Sequence, residues 1–240
     1  MKNIFSFLVL IIAWEILGKQ VDSSFFVSFT EAIQSLIYLL KEQQLIVDIG
    51  TSFQRIFIAL SLCFIIAIPL GIGIGRIKEI ESLFRPLTHF LRYIPAPTLI
   101  PISILWLGIG EAPKIFIVLW GIFFPTLLSI RDAAKNIPKS YHQVSRSLGY
   151  TKWQNLYHVS FPAIAPEIFN AFRIAWGESW IYLLIAELIS AENGIGKSIV
   201  VAQRFLKMDQ IFALILLLGI IGLISDQSFK FTYSKLFRYK

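Results

Sequence analysis

Residues 52–75 read SFQRIFIALSLCFIIAIPLGIGIG, and after Arg55 this stretch contains no charged side chain. A helix needs about 20 consecutive apolar residues to cross the hydrocarbon core of a bilayer. The stretch is long and apolar enough to meet that requirement, so it predicts a transmembrane helix.

Similar apolar blocks recur along the chain, whose 240 residues are 56% hydrophobic and 15% charged. A soluble domain usually carries about 25% charged residues. The composition and the length of the blocks together exclude an ordinary soluble domain. We predict an all-α integral membrane fold with six transmembrane helices, at about 4–18, 52–75, 88–108, 113–130, 164–190 and 209–226.

The segments between the spans predict the orientation in the membrane. Cytoplasmic loops of membrane proteins carry an excess of Lys and Arg. When the amino terminus is placed inside, most basic residues between the spans fall in the cytoplasmic segments 76–85, 131–152 and 230–240. We therefore predict that both termini are cytoplasmic. We attribute the formal net charge of +7 to basic residues that fix the orientation in the membrane, and no nucleic-acid partner is predicted.

Residues 24–47 combine apolar and charged side chains and are predicted as an amphipathic helix at the outer membrane surface. The apolar run before them is followed by Gly18-Lys19-Gln20 and not by a signal-peptidase site, so an uncleaved first span is expected. Cys63 is the only cysteine, and His89, His142 and His158 are scattered, so no metal site is predicted.

The longest inner segment, residues 131–162, reads RDAAKNIPKSYHQVSRSLGYTKWQNLYHVSFP. It predicts one helix at about 138–148 and a second at about 151–159, separated by a break at Gly149 and closed by Pro162. Trp153, Leu156 and Tyr157 lie at helical spacing and could form an apolar knob. Such a knob suits either a groove on a partner protein or the lipid headgroups, and the pattern leaves both open.

This segment resembles the EAA loop of binding-protein-dependent ABC permeases, whose pattern is roughly E-A-A-x3-G-x9-I-x-L-P. Gly149 and Pro162 match, whereas Gln143-Val144-Ser145 replaces the E-A-A triplet and Phe161 replaces the leucine. In the family, this helix-turn-helix loop lies between spans four and five and docks on a cytoplasmic ATPase. The resemblance implies an ATPase-coupling site at Gln143, Ser145, Arg146, Leu148, Gly149, Trp153, Phe161 and Pro162.

Residues 51–111 and 172–196 are similar to the sulfonate, taurine and nitrate branch of these permeases, most specifically in the proline run followed by LWLGIGE. The resemblance implies two permease subunits, taken as two copies of this chain, a cytoplasmic ABC ATPase dimer that carries ATP and Mg, and an extracytoplasmic substrate-binding protein. The expected location is the bacterial inner membrane, and no cofactor is expected on this chain. The implied regions are an amino-terminal region, a permease core and a basic cytoplasmic tail, at 1–50, 51–228 and 229–240.

Prolines and charged side chains inside the predicted spans give the candidates for a translocation pathway. Proline removes a helical hydrogen bond, and broken membrane helices often line such pathways. Charged groups in the hydrocarbon region usually face protein or water. The candidates are Arg92, Pro95, Pro97, Pro101, Glu178 and Glu187. A packing kink at the prolines, a surface position for Arg92 and structural hydrogen bonds at the glutamates are the alternatives.

Two glycine patterns are interpreted structurally. Gly71 and Gly75 permit close helix contact, and the sequence lacks the spacing of a dinucleotide loop. Gly196-Lys197-Ser198 imitates the end of a phosphate-binding loop, but Ala191 stands where the first glycine is required, so nucleotide binding is not predicted.

The leading functional hypothesis is an importer permease for a small anion such as a sulfonate, taurine or nitrate. A permease for a thiamine or riboflavin precursor is the alternative within the same class. An ion-coupled secondary transporter would use Glu178 and Glu187, but six spans without an inverted repeat argue against it. A membrane enzyme would need a clustered catalytic set, which the sequence does not suggest.

Overall fold

The computed structural model describes residues 2–21, 26–190 and 192–237, and the regular structure in these ranges is helical. The helices are α1 (Lys2–Gln20), α2 (Phe29–Lys41), α3 (Gln43–Arg76), α4 (Lys78–Leu91), a 3₁₀ helix (Ala96–Leu99), α5 (Ile100–Leu107), α6 (Glu111–Lys135), α7 (Lys139–Ser147), α8 (Lys152–Asn155), a π turn (Leu156–Ser160), α9 (Phe161–Ser190), α10 (Ile195–Arg204) and α11 (Met208–Leu236). The all-α class predicted from the sequence is confirmed.

The chain forms two compact units. One comprises residues 1–53 and 187–225, and the other comprises residues 54–186 and 226–240. The predicted boundaries at 50 and 228 separate consecutive regions, whereas each compact unit combines segments that are distant in sequence.

Three helices among the described residues, α3, α6 and α11, are long and apolar enough to cross a membrane. A fourth span results if the bent pair formed by α4 and the segment Ala96–Leu107 counts as one. The predicted fifth span corresponds to α9, which is 30 residues long but carries four charged side chains. The predicted first span corresponds to α1, whose first side chains lie outside the description. Six spans therefore remain a prediction.

The predicted third span at 88–108 is interrupted by a sharp bend at its prolines. Helix α4 ends at Leu91, and the chain continues through Pro95 and a 3₁₀ turn into α5, with a bend of 86°. Pro95 is extended, with ψ of 129°, and neither Pro95 nor Pro97 has an amide hydrogen for a helical bond. Closely spaced prolines thus break the helix instead of only kinking it.

The predicted amphipathic segment at 24–47 also divides differently. Helix α2 begins after Ser28, whose hydroxyl accepts from the Glu31 amide, while the Glu31 carboxylate accepts from the Ser28 amide in a capping box. Glu42 is extended, and the long helix α3 begins at Gln43. The last residues of the predicted segment therefore belong to α3, and residues 24 and 25 lie outside the described ranges.

Helices α3 and α6 approach closely at two glycines. A Cβ atom added to Gly71 would lie 2.9 Å from Ile130 Cγ2, and one added to Gly75 would lie 2.6 Å from the Arg131 carbonyl oxygen. A side chain at either position would push the two backbones apart. The predicted packing role of this glycine pair is confirmed.

Helix α11 continues through Leu236, so the predicted tail at 229–240 is helical over most of its length. Phe229, Tyr233 and Phe237 recur at every fourth position and share one face. Their ring centroids lie 6.2, 5.9 and 5.9 Å from that of Phe169 on α9. This aromatic contact explains why the helix extends beyond the apolar block.

Candidate functional site

Helix α7 ends in a glycine turn that depends on the backbone of Gly149. Gly149 has φ of +75°, a conformation that L residues with side chains rarely adopt. The Gly149 amide donates to the Arg146 carbonyl, and the Tyr150 amide donates to the Ser145 carbonyl, both at 3.0 Å. These two bonds form a Schellman motif, so the predicted break at Gly149 is confirmed.

The helical segment after this turn begins at Lys152 and is capped by Thr151. The Gln154 amide donates to Thr151 Oγ1 at 3.3 Å, and the Thr151 amide donates to Gln154 Oε1 at 2.9 Å. The predicted closure by Pro162 is wrong, because α8, the π turn and α9 follow one another without an intervening loop. Pro162 lies in the first turn of α9, where the wider π turn accommodates a residue without an amide hydrogen.

The two helices around the turn expose apolar side chains. On α7 and its end, Val144 and Leu148 are 60% and 66% exposed. On the following helical segment, Trp153 and Tyr157 are 80% and 73% exposed and lie one turn apart. Large aromatic residues at this level of exposure are typical of contact surfaces for another molecule.

The predicted coupling residues do not all belong to this surface. Gln143 and Arg146 are exposed, whereas Ser145 is only 2% exposed and accepts a hydrogen bond from Asn155 Nδ2. Ser145 therefore joins the two helices instead of presenting its hydroxyl to a partner. Phe161 is 40% exposed and its ring stacks on Tyr157, with centroids 6.5 Å apart. The role of Asn155 was missed because nothing in its local sequence indicates Ser145 as its partner.

A cavity of about 390 Å³ opens beside the break between α4 and α5. Three of the predicted pathway residues, Arg92, Pro95 and Pro97, line it. The other lining residues are Tyr93, Ile94, Ala96, Trp120, Gly121, Phe124, Pro125, Leu128 and Tyr182. Pro101, which lies in the first turn of α5, does not line the cavity.

Four aromatic residues, Tyr93, Trp120, Phe124 and Tyr182, contribute to the cavity wall, and Arg92 supplies its cationic group. Trp120 Nε1 donates to the Ile94 carbonyl at 3.2 Å, which holds the indole against the broken segment. Trp120 and Phe124 contact edge to face, with centroids 5.2 Å apart. The Arg92 guanidinium lies 4.7 Å from the centroid of Tyr93 and donates to the Tyr93 hydroxyl at 2.7 Å.

The Tyr182 ring packs directly on the backbone of Gly121. A Cβ atom added to Gly121 would lie 2.3 Å from Tyr182 Cδ2, so only glycine permits this contact. Glu178 precedes Tyr182 by one turn of α9 but does not line the cavity. Its Oε2 atom is buried without a hydrogen-bond partner in the described part of the protein.

Glu187, the last pathway candidate, lies in a buried hydrogen-bond network. Its side chain is 1% exposed and accepts from Ser52 Oγ and from the Gly196 amide, both at 2.8 Å. Asp48, which is fully buried, accepts from the Gly194 amide at 3.0 Å and from the Ser198 hydroxyl. This geometry fits the alternative interpretation of Glu187, in which its carboxylate makes structural hydrogen bonds instead of lining the pathway. Asp48 and Ser52 were not predicted as members of this network, and their one-turn spacing on α3 was the available signal.

The same network accounts for the Gly196-Lys197-Ser198 segment. The amides of Gly194, Ile195 and Gly196, at the start of α10, donate to Asp48, Ser52 and Glu187. In a phosphate-binding loop, such amides would point at a phosphate. Here these amides already donate to oxygen atoms of the protein, so they are not available to bind the phosphate of a nucleotide.

A second charged cluster joins α3 to α6. Arg55 is 2% exposed and donates to both carboxylate oxygens of Glu111, with Nη2 2.7 Å from Oε1. Lys114 is 3% exposed, and its Nζ lies 3.2 Å from the same oxygen. One carboxylate thus pairs with two buried cations, an arrangement that holds the two helices together.

No group of three or more His, Cys, Asp or Glu residues in the described ranges is placed to hold a metal ion.

Residues 65–237 match the family of binding-protein-dependent transport system inner membrane components. The chain belongs to this family. A taurine transport system permease protein of Escherichia coli is 32% identical over 74% of this chain and 65% of that protein. A nitrate import permease protein of a Synechocystis species is 31% identical over 78% of this chain and 68% of that protein. The resemblance to the sulfonate, taurine and nitrate branch is thereby confirmed.

A solved structure agrees with this family assignment in fold. A bacterial ABC transporter involved in the import of the acidic polysaccharide alginate superimposes with a TM-score of 0.72 at 14% identity, covering 99% of this chain and 94% of that chain. The protein is therefore an inner-membrane permease subunit of an ABC importer, and it is a transport subunit and not itself an enzyme.

Proposed function

We propose that this permease, as a pair of identical chains with six spans each, moves a small organic or inorganic anion such as a sulfonate, taurine or nitrate into the bacterial cytoplasm. A cytoplasmic ABC ATPase dimer that binds ATP and Mg supplies the energy, and an extracytoplasmic protein delivers the solute. Two relatives, which are named as a taurine transport permease and a nitrate import permease, support this class of cargo.

The observation that carries the proposal is the exposed apolar surface of residues 139–160. Trp153 and Tyr157 project from a helix that runs directly into α9, so a force on that helix would be transmitted along the chain. The capped glycine turn holds α7 and this helix in a defined arrangement. Such a rigid aromatic surface suits a cleft on the ATPase better than a fluid layer of headgroups.

Replacing Trp153 with Asp tests the docking surface. A buried tryptophan at the centre of an interface commonly contributes about 2 kcal/mol, so Trp153→Asp should weaken ATPase binding by about tenfold or more. The measurement is the dissociation constant between the permease in nanodiscs and its ATPase. Exposed Gln203 on α10 provides the matched control, because Gln203→Asp adds the same charge outside the loop. Equal affinities for both variants would remove the docking assignment.

A further inference from the structure

The cavity beside the helix break is lined by aromatic and aliphatic side chains and by one cationic side chain, Arg92. Its volume of about 390 Å³ lies within the usual range of roughly 300–1,000 Å³ for small-molecule sites. We propose that it binds an organic anion with an apolar body, with the charged group at Arg92 and the body against Trp120 and Phe124, in preference to an inorganic oxyanion. This inference rests on the proposed transport function and specifies its cargo.

Arg92 is the group that would contact the anionic end. A guanidinium has five N–H donors, and the hydrogen bond to the Tyr93 hydroxyl uses one of them. The side chain is exposed at the rim of the cavity, and the ring of Tyr93 beneath it restricts its orientation. Guanidinium groups bind planar or tetrahedral oxyanion groups with paired hydrogen bonds, so a sulfonate or carboxylate fits this position.

Besides the hydroxyls of Tyr93 and Tyr182, the rest of the wall offers few donors. The backbone segment Pro95-Ala96-Pro97 contributes one amide hydrogen at most, since proline has none. The Trp120 indole N–H is already bonded to the Ile94 carbonyl. A nitrate ion inside the cavity would exchange a complete hydration shell for these few contacts, which is unfavourable.

The apolar part of an organic anion would gain from the same wall. Trp120, Phe124 and Tyr182 present ring surfaces, and the cavity borders a core cluster that includes Ala96, Ile100 and Ile117. Each methylene that leaves water for such a wall contributes about 0.8 kcal/mol, which corresponds to about a fourfold gain in affinity. Affinity should therefore rise with the length of the apolar body until the cavity is filled.

The test is calorimetric titration of the permease–ATPase complex in nanodiscs without the binding protein. The probes are methanesulfonate, propanesulfonate, butanesulfonate and sodium nitrate at constant ionic strength. We expect the affinity to rise about threefold to fourfold per added methylene, with nitrate weaker than butanesulfonate by at least about tenfold. Tight nitrate binding, no dependence on chain length or no measurable binding of any probe would each overturn the inference.

A pair of variants tests the position of the charged group. Arg92→Gln should weaken every sulfonate by a similar factor of about ten and leave the chain-length dependence intact. Arg85→Gln removes an exposed cation from α4, the helix that ends immediately before Arg92, but Arg85 does not line the cavity, so this variant should have no effect. Equal losses in both variants would contradict the assignment. A permease–ATPase complex that hydrolyses ATP and imports nitrate through another site would contradict only this inference. Failure of the permease to assemble with any ATPase would contradict the proposed function.

Discussion

At the scale of single residues, Gly149 has the most constrained backbone of the candidate docking loop. Its φ of +75° follows from the Schellman turn, and open space surrounds it, so the constraint is conformational and not steric. A residue with a Cβ atom in the left-handed region is less stable by about 1–2 kcal/mol. Any substitution at this position therefore favours other arrangements of α7 and the helix that follows.

Gly149→Ala should weaken ATPase binding by several-fold while leaving membrane insertion unchanged, because the turn loses stability but the spans do not. The measurement is the dissociation constant for the ATPase, together with the yield of folded permease. Gly50→Ala is the matched control, since Gly50 lies in helix α3 with open space around it and alanine favours a helix. Unchanged ATPase affinity in Gly149→Ala would show that the turn geometry is irrelevant to docking.

The residues that sequence reasoning identified well are those with local causes. Gly149 and Thr151 are signals for the end and the start of a helix, and their hydrogen-bond partners lie within five residues. Glu187 was harder to interpret because its partner Ser52 is 135 positions away. Ser145 resembled a surface residue by position in the loop, but the fold turns its hydroxyl towards Asn155. Distant partners are set by packing, which a single sequence does not display.

At the scale of elements, the close approach of α3 and α6 depends on which glycine of the 71–75 run faces the neighbouring helix. A Cβ atom on Gly75 would meet the Arg131 carbonyl oxygen at 2.6 Å, whereas one on Gly73 would meet Ile80 at an ordinary 3.5 Å. Backbone atoms cannot rotate away as side chains do. The two positions therefore differ in tolerance, as the four-residue spacing of Gly71 and Gly75 predicts.

Gly75→Ala should destabilise the permease by about 1–3 kcal/mol, because the helices must separate to accommodate the methyl group. Gly73→Ala is the control with the same substitution on the same helix, and it should be neutral or slightly stabilising. Thermal unfolding in detergent measures both. If the two variants melted at the same temperature, the close helix contact at Gly75 would be refuted.

The elements that sequence reasoning placed incorrectly all involve proline or an early helix start. The prolines at 95 and 97 suggested a kink, yet two residues without amide hydrogens so close together end the helix. Pro162 suggested an end, yet the preceding π turn lets the helix continue. Helix α3 begins at Gln43, before the apolar block, because the buried Asp48 and Ser52 cap α10. In each case the boundary depends on hydrogen bonds that are made or missing, which the hydropathy pattern alone does not display.

At the scale of the whole molecule, the orientation in the membrane determines which surfaces meet which partners. The basic segments predict that residues 139–160 are cytoplasmic and that α10 is extracytoplasmic. Cys63 is fully buried, so an introduced surface cysteine would be the accessible thiol. A membrane-impermeant maleimide should label Ser147→Cys only from the cytoplasmic side, and it should label Gln203→Cys only from outside. The reverse pattern would invert the topology.

This chain is expected to transport its solute only together with a separate ATPase. The most direct measurement is uptake of radiolabelled taurine or butanesulfonate into proteoliposomes that contain the permease with or without its ATPase, with the binding protein outside. We predict accumulation only when the ATPase and internal ATP are both present. Accumulation by the permease alone, driven by a proton or sodium gradient, would contradict this account.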